Sequence, residues 1–447
     1  MAPIFWQTIE ASIVYHVLLV FFASYPIVSS LMWTSTAIAY WLRRERGHPA
    51  TLPDAADAAD TKDLPFVSML IPCYCEAPNV ASTLRSCLAL EYPLLEIVVV
   101  DDGSHDSTVA EVLPFVDAGQ VRLISKRRNE GKAMAMNDAI PCLRGEIVVI
   151  MDADASPSPD MLRHLIPHFS SARVAAVTGN PRVVDRDTFL SKLQLMEFTS
   201  IVSLQRRAQR VWGRILTVSG VVTAFRKSAL VDAGLFSPDM ATEDIDMTWK
   251  LQKKHYDIRY EPGALVWMHV PRTLPVLWKQ RRRWALGLAQ VLRRHASEVV
   301  RWKHRRMWPI LGESVLSILW AYVLVGFTII WIGSYAAGVP PVGASPFPNW
   351  WGMTIATLSL MQLAVGMLLD RRYDNTIVRY FAVAVYYPLL YWLLMAVVTT
   401  VTTPFGFTRR ARGPQRWQTP REEAASPPPG EAAPQLPELQ PTSLPGA

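Results

Sequence analysis

Three stretches of the chain carry no charged side chain: residues 11–42, 314–369 and 380–408. A helix needs about 20 apolar residues to cross a bilayer core, so the first and third each have room for one span and the second for two. Between them the pattern changes. From Pro65, short runs rich in Val and Ile recur: "FVSMLIP" (66–72), "LEIVVVDD" (95–102), "VRLIS" (121–125), "EIVVIMD" (146–152) and "VAAVTG" (174–179). Helical-looking segments near 79–90, 106–117, 131–143 and 160–169 separate them. This alternation predicts an α/β domain with a mostly parallel sheet and helices on both faces. Ligands of such sheets bind beyond the carboxyl ends of the strands. Past Gly179 the alternation weakens. Residues 188–211 predict a long helix, "ILTVSGVVTAF" a strand and turn, and 245–254 a further helix. From Thr273 to Val291, Leu274, Leu277, Trp278, Ala285 and Leu288 recur at helical spacing among Arg and Lys, an amphipathic helix suited to a membrane surface.

These readings divide the chain into an N-terminal membrane helix (1–49), a linker (50–64), an α/β domain (65–272), amphipathic and basic interface helices (273–308), a membrane region (309–408) and a tail (409–447). "ATLPDAADAADTKD" is small, acidic and aperiodic, as a linker should be. The tail, rich in Pro, Ala and Glu, is expected to be disordered. A cleaved signal peptide does not fit the start, because no Lys or Arg precedes Arg43 and the apolar run is too long. The positive-inside rule puts Arg43, Arg44 and Arg46, and with them the α/β domain, in the cytoplasm. Two crossings in 309–369 return the chain inside at "DRRYDN". A full third crossing at 380–408 would then leave "TRRARGPQR" outside, against the same rule, and Pro388 offers a break for a re-entrant hairpin instead.

Half of the 447 residues are hydrophobic and 19% are charged, and the net charge is +7. The basic residues cluster beside the membrane, in "RRRW" (281–284) and in 293–308, where anionic lipid attracts them. No nucleic-acid motif is present. Cys73, Cys75, Cys87 and Cys142 all fall in the cytoplasmic stretch and are expected to be reduced thiols, with too few neighbours for a zinc site.

Five acidic or basic constellations carry the candidate chemistry. "VVVDDGSHDST" places Asp101 and Asp102 where a strand turns into a helix. Such residues suit a tight turn, and a carboxylate there can also accept the imide hydrogen of a nucleobase. "IMDADAS" adds Asp152 and Asp154. In an extended segment, positions i and i+2 point the same way, and two like charges held together at a buried strand end are costly without a cation. Mg2+ or Mn2+ with a diphosphate fits the pair. "KRRNEGKAMAMN" brings Lys126, Arg127, Arg128 and Lys132 nearby but lacks the Gly-Lys-Ser/Thr ending of a P-loop. "DMATEDID" (239–246) reads as a helix start capped by Thr242, with acids favouring the dipole. It also leaves Glu243 and Asp244 at an exposed end near any ligand over the sheet. In "QRRRW", Gln280, Arg283 and Trp284 share one side of a helix, a donor, a cation and an aromatic platform suited to phosphate and sugar.

In this order, "DDG", "DAD", "TED" and "QxxRW" between membrane helices resemble the processive family-2 glycosyltransferases, the group of cellulose, chitin and hyaluronan synthases. "GNPRV", "VSGVVTAFR", "SPDMATEDIDMTWKLQ" and "LWKQRRRWA" look most like bacterial poly-β-1,6-N-acetylglucosamine synthases of biofilm matrix. The resemblance covers residues 65–310. It implies a GT-A (Rossmann-like) fold, UDP-GlcNAc and a growing glycan as substrates, and these roles: Asp101 and Asp102 at uracil, Asp152 with Lys132 on the UDP side, and Asp154 with Asp152 at the metal. Asp244, beside Glu243, is the general base, and Gln280, Arg283 and Trp284 hold the acceptor end and the pyrophosphate. Members often have two spans before the catalytic domain, where here one fits. The cyclic di-GMP-binding domain of bacterial cellulose synthases has no room in 409–447, so nucleotide control would fall to a small membrane partner subunit. Rival readings are another β-glycan synthase, a single-addition lipid glycosyltransferase, and a transporter or receptor with a nucleotide-sensing domain. The last has no need of the "DAD" and "TED" acids.

Overall fold

The structure, a computed structural model, describes residues 12–47, 64–338, 350–408 and 413–416. Residues 48–63 and 417–447, and so nearly all of the expected linker and tail, lie outside the described residues. In chain order the elements are α1 (Ile13–Tyr40), β1 (Val67–Cys73), α2 (Ala77–Leu88), β2 (Leu95–Asp101), α3 (Thr108–Asp117), β3 (Arg122–Ser125), α4 (Lys132–Ala139), β4 (Ile147–Met151), β5 (Ala155–Pro157), α5 (Met161–Leu165) and β6 (Val174–Val183). Then come α6 (Phe189–Met196), α7 (Leu204–Trp212), β7 (Val222–Arg226), α8 (Lys227–Asp232), α9 (Glu243–Lys253), β8 (Asp257–Met268) and α10 (Leu274–Val299). Three further helices close the chain: α11 (Trp308–Ala336), α12 (Trp350–Asp370) and α13 (Trp392–Thr408).

The sheet has the order β3-β2-β1-β4-β7-β6-β8-β5. β1 and β4 are buried along their whole length, which is why they read as unbroken apolar runs rather than alternating ones. Side chains still alternate between faces. Met69 and Ile71 pack with Val99, Val149 and Leu84, and Leu70 packs with Val98, Val148, Met136 and Met247 on the other side. Each such side chain contributes roughly 1.5–3 kcal/mol by leaving water.

The expectation of a mostly parallel sheet needs correction. β3, β2, β1 and β4 are parallel neighbours, as are β6 and β8, but β7 runs antiparallel to both β4 and β6, and β5 antiparallel to β8. The sheet is mixed, and the reversal has a use. Val222 pairs with Met151 at the carboxyl end of β4, and Arg226 with Ile147 at its start. The loop before β7 is thereby delivered to the edge where the parallel strands end. Strand order also reverses direction between β1 and β4, the kind of switch point where α/β sheets bind ligands.

The expected helix at 188–211 is present as α6 and α7, joined through a π-helical turn at Glu197–Ser203. A capping box between Thr188 and Ser191 starts it, satisfying N–H groups that would otherwise lack partners. α10 extends to Val299, beyond the predicted 291. It is wedged rather than merely laid on a surface. Gly287 meets Thr242 at the start of α9, and Gly406 of α13 meets Leu286 and Ala289.

Four described helical segments are long and apolar enough to cross a membrane by length and composition: Ile13–Glu45, Trp302–Ala336, Gly352–Asp370 and Ile377–Thr408. At their junction with the α/β domain lies a buried ionic cluster. Arg207 pairs with Glu45 at 2.7 Å and with Asp370 at 2.6 Å. Asp370 also pairs with Arg182, and Asp374 with Arg186 at 2.5 Å. The last segment is not one regular helix: residues 377–386 are 3-10 and 387–391, around Pro388, are π-helical. Both of its ends face the α/β domain. Arg186 donates to Thr376 before it, and after it the Gln415 N–H donates to the Pro238 carbonyl at 2.8 Å.

Candidate active site

The carboxyl ends of β2 and β4, the loop before β7 and the start of α9 converge on one cleft. Lys132, the first residue of α4, donates to Asp152 Oδ1 at 2.6 Å and to the Gly220 carbonyl at 3.2 Å, and lies 3.8 Å from Glu243. Burial works against its charge, but Asp152, Glu243 and Asp244 outweigh that and raise its pKa. One cation therefore ties the "DAD" loop to the "TED" helix.

Asp244 is the perturbed acid of this group. Burial and the neighbouring Glu243 charge raise its pKa to about 6, while Lys132, the Ile245 N–H and Arg283 pull the other way. Gly220 leaves its carboxylate room, since a Cβ there would come within 3.1 Å of Asp244 Oδ2. The expectation of an exposed helix end is corrected here. Glu243 is buried and Asp244 only partly accessible, because the loop before β7 and α10 cover them. The expected Thr242 cap is absent as well: its side chain makes no capping bond but packs on Gly287. The start of α9 is held instead by Asp246, fully buried, which accepts from Ser237 Oγ at 2.6 Å and pairs with His295 of α10 at 2.8 Å. Burial opposes its charge, but His295 and Ser237 lower its pKa to about 2.

Asp101 and Asp102 sit at the end of β2, both buried. Asp102 accepts from the backbone N–H of Glu130 at 3.1 Å and of Gly131 at 2.6 Å, and Lys126 lies 3.4 Å away. It thus pins the 126–131 loop. Gly131, at φ +95°, has no space for a Cβ, because the backbone of Gln415 lies against it. Lys126 is bound inward to Glu130 and Asp138, and Arg127 and Arg128 are exposed, so of that basic stretch Lys132 is the residue that reaches the cleft.

The argument that Asp152 and Asp154 share a direction as strand neighbours does not hold. β4 ends at Met151, residues 153–154 form a turn, and the Ala155 N–H folds back to the Asp152 carbonyl at 3.3 Å. Asp154 is within electrostatic reach of His269, whose pKa is raised first by its hydrogen bond with Asp185 and further by Asp154. Among the described residues, no three His, Cys, Asp or Glu side chains gather as a metal cage. A hard divalent ion needs few protein carboxylates, because it completes its shell from a diphosphate and water.

The "QRRRW" helix enters through an unexpected member. Gln280 and Trp284 are partly buried and Arg283 is exposed, whereas Arg281 is fully buried. Arg281 pairs with Glu197 at 2.5 Å and lies over the Trp284 ring at 3.9 Å. Glu197 also accepts from Tyr391 at 2.7 Å. A cation over an aromatic face in a dry setting is worth about 2 kcal/mol, so Arg281 fixes the platform that sequence reasoning had credited to its neighbours. Arg206 was missed too. It is buried, donates to the Gly179 carbonyl at 3.4 Å, and has its pKa lowered by burial despite Tyr260 and Asp244. No spacing in "QRRAQR" marks it out.

The comparisons agree with this geometry. Residues 65–287 match the family described as Glycosyltransferase like family 2. Over 404 residues the chain is 34% identical to a poly-β-1,6-N-acetyl-D-glucosamine synthase of Staphylococcus epidermidis, covering 90% of this chain and 97% of that one. It is 32% identical over 408 residues to the protein of the same name from Staphylococcus aureus, with the same coverages. A mannosyltransferase from Pyrobaculum calidifontis, solved with GDP-Man and Mn2+, shares the fold at TM-score 0.55 and 23% identity over 85% of this chain and 99% of that one. The fold is that of a GT-A glycosyltransferase joined to four helices long and apolar enough to cross a membrane. The chain belongs to glycosyltransferase family 2.

Proposed function

We propose that the chain is an inverting, processive synthase that adds N-acetylglucosamine from UDP-GlcNAc to a growing poly-β-1,6-N-acetylglucosamine and passes it across the inner membrane. The observation that carries this reading is Asp244, an acid with a pKa of about 6 facing a lysine that also grips Asp152. A base of that strength is charged at neutral pH yet can hold a proton. Asp244 accepts the acceptor hydroxyl's proton as that oxygen bonds to the anomeric carbon. The carbon–oxygen bond to UDP breaks from the opposite side, turning α into β, and UDP leaves with the bonding pair. Lys132 and Arg283 offset the charge that grows on the departing diphosphate. Asp101 and Asp102 form the ledge for uracil, and Gln280, Arg283 and Trp284 receive the acceptor end.

Asp154, with Asp152, would hold Mg2+ or Mn2+, which supplies further positive charge at the diphosphate. Residues 65–272 act in the cytoplasm, where UDP-sugars are made, with 273–308 as the interface and 309–408 in the bilayer. Control by cyclic di-GMP would act through a small membrane partner. The staphylococcal relatives, poly-β-1,6-N-acetyl-D-glucosamine synthases by name, support the choice of sugar and linkage.

The test supplies membranes containing the full chain with labelled UDP-GlcNAc, UDP-Glc and UDP-GlcA in turn. Polymer from UDP-GlcNAc alone, cleaved by a β-1,6-specific and not a β-1,4-specific hydrolase, is expected. EDTA should stop synthesis, and Mg2+ or Mn2+ restore it. Polymer from another sugar, or a single addition to lipid, would overturn the reading.

A further inference from the structure

Far from the "DAD" and "TED" acids, a cavity of about 230 Å3 opens where the turn between α10 and α11 meets the α/β domain. Arg173, Arg214, Lys303, His304, Arg305 and Arg306 line it. The rim cations are exposed, but Arg214 and His304 are more than nine-tenths buried. Arg214 spends Nη1 on the carbonyl of adjacent Gly213 at 2.9 Å. Its Nε and the Nδ1 of His304 have no hydrogen-bond partner among the described residues, and His304 Nε2 has only Glu298 at 3.5 Å. A buried donor left in that state costs about 1–3 kcal/mol.

The local acids do not settle the account. Glu298 lies 3.7 Å from Lys303 and 3.5 Å from His304, but Lys253 holds it more closely at 2.6 Å. Arg173, Arg214, Arg305 and Arg306 have no carboxylate within ion-pair distance among the described residues. Burial lowers the Arg214 pKa, and Arg306 and Arg173 lower it further, against a smaller opposing pull from Asp257. The other basic cavity, around Arg210 and Arg259, is different: Asp257 sits 3.2 Å from each arginine as a built-in counter-ion. The Arg214 cavity has Glu298 alone at ion-pair distance among the described residues, at its Lys303 and His304 side and already held by Lys253.

We infer that the Arg214 cavity binds a phosphate group, the chemistry shared by an anionic phospholipid head and a small soluble phosphate. Its volume falls below the roughly 300–1,000 Å3 of sites that enclose drug-sized ligands, so a phosphate with a short ester fits and a whole nucleotide does not. Position favours access from the bilayer surface. The turn bearing Arg305 and Arg306 leads straight into the span of α11, flanked by exposed Trp302 and Trp308, whose rings meet edge to face at 5.6 Å. Tryptophans in that setting mark the headgroup level. Gln252 of α9 also lines the cavity and clamps the Ile215 N–H and carbonyl at 3.0 and 2.7 Å. The occupant would therefore rest on the outer end of the loop whose inner end is Gly220.

The full chain is placed in nanodiscs of phosphatidylcholine with or without phosphatidylglycerol, and retained lipid is counted by native mass spectrometry. In parallel, inorganic phosphate is titrated calorimetrically into the protein in neutral detergent. Retained phosphatidylglycerol identifies a lipid source, and saturable phosphate binding a soluble one. In either case Arg214→Gln with Arg306→Gln should weaken binding at least tenfold. Lys303→Gln with Arg306→Gln changes only exposed rim residues, so it remains informative if the buried substitution impairs folding, and should weaken binding severalfold. Neither probe bound, or binding unchanged in both variants, would overturn the assignment. These readouts do not involve sugar transfer, so they stand apart from the function proposed above.

Discussion

The cleft and the membrane junction are both rich in buried charge, yet they use it in opposite ways. At the junction Arg207 is shared between Glu45 and Asp370, and Asp370 again with Arg182, so each ion has a partner of opposite sign. In the cleft one lysine faces Asp152, Glu243 and Asp244, and the acids are in excess. Balanced charges hold elements together, whereas an unbalanced set pushes one member's pKa toward neutrality, where proton transfer is efficient.

Substitutions can break this contrast. Asp244→Asn should reduce polymer synthesis by about 10²–10⁴-fold, the usual contribution of a general base, while UDP-GlcNAc binding holds and the melting temperature does not fall. Synthesis surviving in that variant would show that the proton goes elsewhere. Arg207→Met should do the reverse. It leaves Glu45 and Asp370 without their cation, a loss of about 3–5 kcal/mol, visible as a lower melting temperature. Adding Glu45→Gln and Asp370→Asn to it should recover part of that loss.

pH sharpens the comparison with smaller effects. Synthesis should decline as pH falls through about 6, because Asp244 then becomes protonated. Its raised pKa works the other way on stability, which this group weakens as pH rises from the unfolded value near 4 toward 6. Asp246, lowered to about 2, contributes stability above pH 4 that is lost on acidification toward 2. A melting curve that follows the activity limb would merge two groups that the geometry separates. The smallest effect is positional: Gly413→Cys should react with a membrane-impermeant thiol reagent only from the side of the α/β domain.

Much of this was legible in the chain. The Val- and Ile-rich runs located five of the first six strands within a residue or two, save that β6 continues to Val183 and the three-residue β5 went unread, because buried parallel strands leave little room for other residues. β7 was read as a strand but not as a reversed one, since direction is set by the long α6–α7 excursion and not by local pattern. Asp244 was legible as a candidate base, but its burial was not. The cover comes from Gly220 and from α10, distant in sequence. Arg281 escaped because helical spacing groups Gln280, Arg283 and Trp284, while its partner Glu197 lies in a π turn that no periodicity announces. The crossing problem at 380–408 meets tertiary contacts that no local pattern announces: Thr376 before the segment and Gln415 after it both touch the α/β domain.

Gly287 carries a last consequence. Where it crosses Thr242 there is no space for even a methyl group, so the helix bearing Trp284 and the helix bearing Asp244 meet without a gap. Under the proposed function, a growing chain would have to be drawn past two helices locked face to face.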